Sequence, residues 1–317
     1  MHSHLSNARS IIKPFGALHV VVPCFNPLRY VSRYQLFKDF VRHAEAAGAT
    51  VWLAEIAFGG RPWQVTELNG LRHIQFRTHD EIWLKECVIN ATVARLPHDW
   101  QYVAWIDGDV MFSNPDWVQE TIHQLQHYSV VQMFKTAVDL DPNGHPYKTF
   151  QGFPSSLLDE PLPDNCGYDK RGYFHPGYAW ACTRQAWEAT GGLLDINIVG
   201  GGDHQMVHAY YGNAAKAIPF ASTVGYRNAV MAWQTHALLL KQNIGYVPGT
   251  LIHYWHGKKS RRGYFDRWKI LADNKFDPVT DLRRDHYGLW KLAGNKPKLR
   301  DDLRRYFRSR QEDGIEE

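Results

Sequence analysis

The sequence lacks any run of about 18 apolar residues, which argues against a membrane-spanning helix. Cysteine is scarce: Cys24, Cys87, Cys166 and Cys182 are the only four, and no two form a C-x-x-C pair. That disfavours a zinc ribbon or a thioredoxin motif, and free thiols in a reducing compartment are expected. An early glycine-rich phosphate loop is missing, which argues against a nucleotidyltransferase. There is no internal repeat and no linker that divides the chain. Charge of one sign is also weak: a net +4 allows an anionic ligand without demanding nucleic acid. The segment Met1–Ser10 is polar, without an apolar signal core, so a cytoplasmic location is expected, in a bacterium or a phage-infected host.

What is present is a folded composition. The chain has 317 residues, 44% apolar and 21% charged, enough for one large or two medium domains with real cores. Aromatic residues reach 14%, with 12 Trp, more than a core needs, which points to a surface for stacking sugars or bases. Residues 1–16 read as a flexible lead-in. Leu18–Pro23 is a β-branched run ended by proline, a buried strand. A helix is expected over Ser32–Ala47, closed by Gly48, and strands over Thr50–Ile56 and Leu71–Phe76. A helix over Asp80–Leu96 and a strand over Tyr102–Ile106 follow, then a helix over Pro115–Gln126 and a strand over Tyr128–Phe134. This alternation indicates an α/β fold: a mostly parallel central sheet with helices on both faces and ligands beyond the carboxyl ends of its strands. Residues 139–176 crowd Pro, Gly, Asp and Asn and read as an irregular acceptor loop. A basic amphipathic helix is expected over Lys296–Arg310, followed by an acidic end.

Four constellations carry chemistry. In Trp105-Ile106-Asp107-Gly108-Asp109-Val110, two carboxylates at a strand end suit a hard divalent cation, Mn²⁺ or Mg²⁺; an acidic turn is the plainer reading. His253-Tyr254-Trp255-His256 offers imidazole, and Lys258, Lys259, Arg261 and Arg262 beyond it suit a diphosphate; packing histidines beside a solvated loop are the alternative. Gly200-Gly201-Gly202-Asp203-His204 permits close backbone approach, with Asp203 either a helix cap or a general base. In His175-Pro176-Gly177-Tyr178-Ala179-Trp180, glycine and aromatics could receive a sugar face or simply pack in a core.

Taken in order, these motifs resemble the GT-A glycosyltransferases, the family-2-like group that uses nucleotide-diphosphate sugars, over roughly residues 17–270. The resemblance implies a single Rossmann-like GT-A domain over 17–275, with a nucleotide-sugar half (17–135), an acceptor half (136–275) and a C-terminal helical extension (276–317). It implies a donor site from Pro23, Phe25, Asn26, Glu55, Lys85, Asn90, Asp107, Gly108, Lys258 and Arg261. Asp107, Asp109 and His256 are the implied ligands of Mn²⁺ or Mg²⁺. Phe174–Gly192 is similar to the family's acceptor-side motif, which puts Gly177, Tyr178, Trp180, Gly202 and Asp203 at the acceptor, with Asp164, Asp169 and His175 helping to choose it. Asp203 is the one local acid, because Gly202-Asp203-His204 stands where the family carries paired acids. The implied reaction is sugar transfer from a UDP-sugar to an acceptor hydroxyl with inversion, Asp203 acting as base. The acceptor would be a glycan, a lipid, a protein or a hydroxymethylated DNA base. The basic cluster Lys258–Arg262 and tail residues Arg300, Arg304, Arg305, Arg308 and Arg310 motivate the DNA variant. A non-catalytic sugar- or nucleic-acid-binding protein on the same scaffold is the alternative.

Overall fold

The computed structural model describes residues 16–159, 174–263 and 266–313. The lead-in up to residue 15, Cys166, Asp164 and Asp169 lie outside the described residues, as does the end of the acidic tail. Strand β1 (Leu18–Phe25) runs through the middle of the molecule. Leu18, Val20, Val22 and Cys24 face one core cluster, and Val21 and Phe25 face the other. Burial on both faces is why this strand reads as an unbroken apolar run. Helix α1 (Val31–Ala46) buries Phe37, Phe40 and Ala44 against the first cluster. It stops at Gly48, whose φ of 87° is the left-handed conformation that ends helices. Next come β2 (Thr50–Phe58), β3 (His73–Thr78), α2 (Lys85–Val93), β4 (Tyr102–Ile106), β5 (Val110–Phe112), α3 (Trp117–Gln124) and β6 (Val130–Gln132). The helix expected from Asp80 begins only at Lys85, because the Trp83 N–H donates to the Ile198 carbonyl (2.9 Å).

The stretch expected to be irregular from 139 is partly regular. It holds the end of β7 (Thr136–Leu140), β8 (Pro146–Gly152), α4 (Phe153–Asp159) and β9 (Phe174–His175). The first part of the polar stretch that suggested a loop is a tight hairpin turn: Asp141 Oδ1 accepts from the N–H of Asn143 and of His145, both at 2.8 Å. The chain continues through β10 (Ala179–Thr183), α5 (Arg184–Thr190), α6 (Gly202–Tyr210), α7 (Val224–Ala237), β11 (Ile244–Tyr246) and β12 (Thr250–His253). It ends with α8 (Arg267–Asp273), α9 (Pro278–Asp281), the hairpin β13 (Leu282–Arg284) and β14 (Trp290–Leu292), and α10 (Pro297–Ser309).

Among the described residues the central sheet has the order β11-β6-β10-β4-β1-β2-β3. β1 to β4 are mutually parallel where they pair, and β10 runs antiparallel between β4 and β6. The architecture is thus α/β, a mostly parallel sheet with helices on both faces. The chain passes from β1 to β2 on one side and returns to β4 on the other, so the switch point lies between β1 and β4. A second sheet, β5-β12-β7-β8-β9, stands beyond the carboxyl end of β4. Leu299, Leu303, Tyr306 and Phe307 of α10 belong to the main core. No helix among the described residues is long and apolar enough to cross a membrane.

Candidate functional site

The switch point and the second sheet meet at Asp107-Gly108-Asp109. Asp107 follows β4 directly, and its N–H donates to the Tyr178 carbonyl (2.9 Å). Gly108 packs on α1, where an added Cβ would lie 2.9 Å from Phe37 Cδ2. Asp109 precedes β5, whose antiparallel pairing sets Val110 opposite His253 at the end of β12. The Tyr254 N–H donates to the Asp109 carbonyl (2.9 Å) and fixes the turn that brings His256 back.

Three side chains converge there. His256 Nε2 lies 2.9 Å from Asp109 Oδ2, His253 Nε2 lies 3.9 Å from Asp109 Oδ1, and the two Nε2 atoms are 3.3 Å apart. One donor atom from each of Asp109, His253 and His256 fits within 4.8 Å of the others. Asp109 Oδ1 is buried without a hydrogen-bond partner among the described residues. An unsatisfied buried carboxylate oxygen beside two imidazoles is a donor set that suits Mn²⁺ or a similar ion. Burial opposes the Asp109 charge, but His256, His253 and Arg33 hold its carboxyl well below the usual carboxylate range.

Each imidazole is backed by a carboxylate. His253 Nδ1 lies 2.9 Å from Asp139 Oδ1, which also accepts from the Tyr178 hydroxyl (2.6 Å). His256 Nδ1 lies 3.1 Å from Glu312 Oε2. Glu312 is buried, yet Arg33 and Arg310 beside it keep its carboxyl well below the usual range. Arg262 Nη2 lies 3.0 Å from His256 Nε2, so a cation taken up on that nitrogen would replace this contact. Tyr178 stacks between His175 (centroids 3.6 Å apart) and His253 (4.7 Å). Its φ of 70° is a conformation that non-glycine residues rarely hold, and such strain gathers at functional sites.

A second group adjoins the first. Lys85, at the start of α2, pairs with Asp107 (Nζ–Oδ1 2.6 Å). Burial disfavours the ammonium, but Asp107, Glu86 and Asp203 around it raise its pKa. Asp203 opens α6 and lies directly over Gly177, where any Cβ would collide with its Oδ2. Glu86 is buried beside Asp203, and burial pushes its carboxyl up to about 7.

The structure brings together Asp107, Asp109, His256, Lys85, Gly177, Tyr178, Gly202 and Asp203. Asp107, expected as a metal ligand, pairs with Lys85, and the clustered donors are Asp109, His253 and His256. Other expected contacts have interior roles. Glu55 Oε2 accepts from the N–H of Val65 (3.0 Å) and of Thr66 (2.8 Å) and from the Thr66 hydroxyl (2.7 Å). Asn90 bonds the Leu193 backbone and Asp195. Asn26 closes a loop onto Tyr30, with Pro23 on the strand behind it. Phe25 packs among Phe58, Trp83 and Phe307. Trp180 is buried against Tyr210, its indole N–H on the Pro176 carbonyl (2.8 Å), so it belongs to the core rather than to a stacking surface. In the basic cluster Arg262 reaches the imidazoles, while Lys258 is half-buried and Arg261 exposed. His253, named in the sequence within its motif but not among the implied ligands, joins Asp109 and His256 in the cluster. Sequence reasoning missed Asp139, Glu86, Arg33 and Glu312, for which no local signal exists.

No protein-family model matches the chain, and no curated protein is similar to it in sequence. Among solved structures it is similar to the catalytic domain of Drosophila β1,4-galactosyltransferase 7 in complex with xylobiose. The identity is 11%, over 90% of this chain and 98% of that one, with a TM-score of 0.40. A mutant of the same enzyme in complex with manganese, UDP-Gal and xylobiose is similar at 10% identity, over 89% and 98%, with a TM-score of 0.38. These are distant likenesses; the chain's own topology and side chains define the site.

Proposed function

We propose that the chain is a glycosyltransferase of GT-A type that moves a sugar from a nucleotide-diphosphate donor, a UDP-sugar, to an acceptor hydroxyl with inversion. The observation that carries this reading is the convergence of Asp109, His253 and His256 at the switch point, with Lys85 and Asp203 alongside. Asp109, His253 and His256 would hold Mn²⁺ or Mg²⁺, which when bound supplies charge neutralisation for a departing diphosphate. Lys85 beside Asp107, and Arg33 and Arg262 beside Glu312 and His256, would add positive charge around the centre. The nucleoside end would lie toward the concavity of about 330 Å³ at the carboxyl ends of β2 and β3, lined by Phe58, Arg61, His79 and Glu81 among others. Asp203 takes the proton of the acceptor hydroxyl, whose oxygen attacks the anomeric carbon on the face opposite the diphosphate. Gly177, which has no side chain, leaves room for the Asp203 carboxylate that sits directly over it. The arginines of α10 are largely paired within the protein: Arg300 with Asp301, Arg305 with Asp302, and Arg304 and Arg308 with Glu81. That favours a glycan, lipid or protein acceptor over DNA, whose binding would fall steeply with salt.

The test is a thermal-shift screen of nucleotide sugars with and without Mn²⁺. A donor at 100 times its Kd stabilises the fold by about 2.7 kcal/mol. The expected outcome is a UDP-sugar shift that needs Mn²⁺, is lost in Asp109→Ala and persists in Asp203→Asn, while Asp203→Asn abolishes turnover. A shift with every variant and no turnover in the parent would favour the binding protein.

A further inference from the structure

The two imidazoles of the site are oriented by carboxylates from separate parts of the chain, one mid-chain and one near the C-terminus. Asp139, on β7, lies beside His253 on the neighbouring strand β12, so its support is a sheet neighbour's. The support of His256 comes from Glu312, 56 residues further along the chain.

Glu312 is held there by several contacts. It pairs with Arg33 of α1, and Arg310 Nε lies 2.7 Å from its other oxygen. Asp313, the next residue, accepts from the N–H of Val31 (2.6 Å) and of Ser32 (3.0 Å), and so caps α1, which has no side-chain cap of its own. Gly257, one residue past His256, lets the tail pass: a Cβ there would lie 2.8 Å from Glu312 Cα. The Tyr306 hydroxyl donates to the Arg262 carbonyl (3.2 Å), which ties α10 to the segment that follows His256.

A histidine that ligates a metal usually donates its other ring N–H to a carboxylate, which fixes the tautomer and the ring orientation. We infer that Glu312 is a positioning residue of the metal centre: it takes the Nδ1–H of His256 and so presents Nε2 to the cation shared with Asp109 and His253. The C-terminal tail, beyond the last helix, is then a working part of the site. This rests on the metal-site reading above, since a purely structural ion pair with Arg33 and Arg310 would not change how His256 meets a cation.

The test uses the full chain and the metal alone. Mn²⁺ affinity is measured from the loss of the free-ion electron paramagnetic resonance signal, and Co²⁺ is added to record its visible absorption bands. Glu312→Gln and Glu312→Ala are each expected to weaken Mn²⁺ binding 10–100-fold and to shift the Co²⁺ bands. Asp313→Asn, which loosens the tail but keeps Glu312, is the variant to use if neither Glu312 substitution folds; it is expected to weaken binding in the same direction by less. Affinity within threefold of the parent and unchanged Co²⁺ bands in the folded variants would overturn the role. Asp109→Ala separates the two readings. If it abolishes Mn²⁺ binding while Glu312→Gln does not alter it, only the Glu312 role fails. If Asp109→Ala binds Mn²⁺ as the parent does, the centre itself is misplaced and both fail.

Discussion

Single buried polar groups set the chemistry of this molecule and part of its stability. His208, on α6, is fully buried against Phe153, and neither ring nitrogen has a hydrogen-bond partner among the described residues. Burial, with a smaller push from Lys216, lowers its pKa to about 4. Below pH 6.5 the unfolded chain takes up a proton that the folded chain refuses until about pH 4, so the fold loses stability as pH falls through that window. The loss is about 1.4 kcal/mol per pH unit at most. Replacing the ring with one that cannot titrate, His208→Phe, is expected to narrow the difference in urea-unfolding free energy between pH 7 and pH 5 by up to about 2 kcal/mol. An unchanged difference would remove His208 from the acid response. Glu86 acts in the opposite sense: its carboxyl, raised to about 7, costs stability as pH rises from its unfolded value toward neutrality. Residues of this kind also explain why expected donor residues have interior partners. A Glu or Asn that satisfies buried backbone N–H groups, as Glu55 and Asn90 do, is the same letter in the sequence as one that meets a ligand.

At the scale of elements, the parts that read clearly were those with local causes. β1 and β4 are runs of apolar residues buried on both faces, and α1 carries its apolar spacing and its terminal glycine in plain view. The DGD turn was legible because it directly follows a buried strand. The hairpin of β7 and β8 was not, since turn residues in a tight hairpin and in a long loop have the same composition. Helix α10 looked like a charged surface helix, and its outer face is one. Its inner face, Leu299, Leu303 and Phe307, is built into the main core. Leu303 is fully buried, so Leu303→Ala is expected to cost about 2–5 kcal/mol in urea unfolding. Arg305→Ala on the exposed face should stay within about 0.5 kcal/mol, since exposed ion pairs contribute little. Equal small effects would make α10 an appendage.

For the whole molecule, the site is assembled from distant stretches, among them the β4–β5 turn, the start of α2, β7, the turn before β10, the end of β12 with its following loop, the start of α6, and the C-terminal tail. Only sheet order explains how they meet. The switch between β1 and β4 opens the place, the second sheet carries His253 to Asp109, and α10 returns Glu312 over His256. The likeness of the motif order to a known family brought Asp109 and His256 into one hypothesis. Asp139 and Glu312 stayed invisible because their partners are chosen in three dimensions.

Crystals soaked with Mn²⁺ and UDP, with anomalous differences collected at the manganese edge, test the central claim most directly. The account predicts one strong peak in contact with the Asp109 carboxylate and the Nε2 atoms of His253 and His256, with the Arg262 guanidinium moved off His256. No peak there, with Arg262 still on the imidazole, or a peak held by other residues, would contradict it.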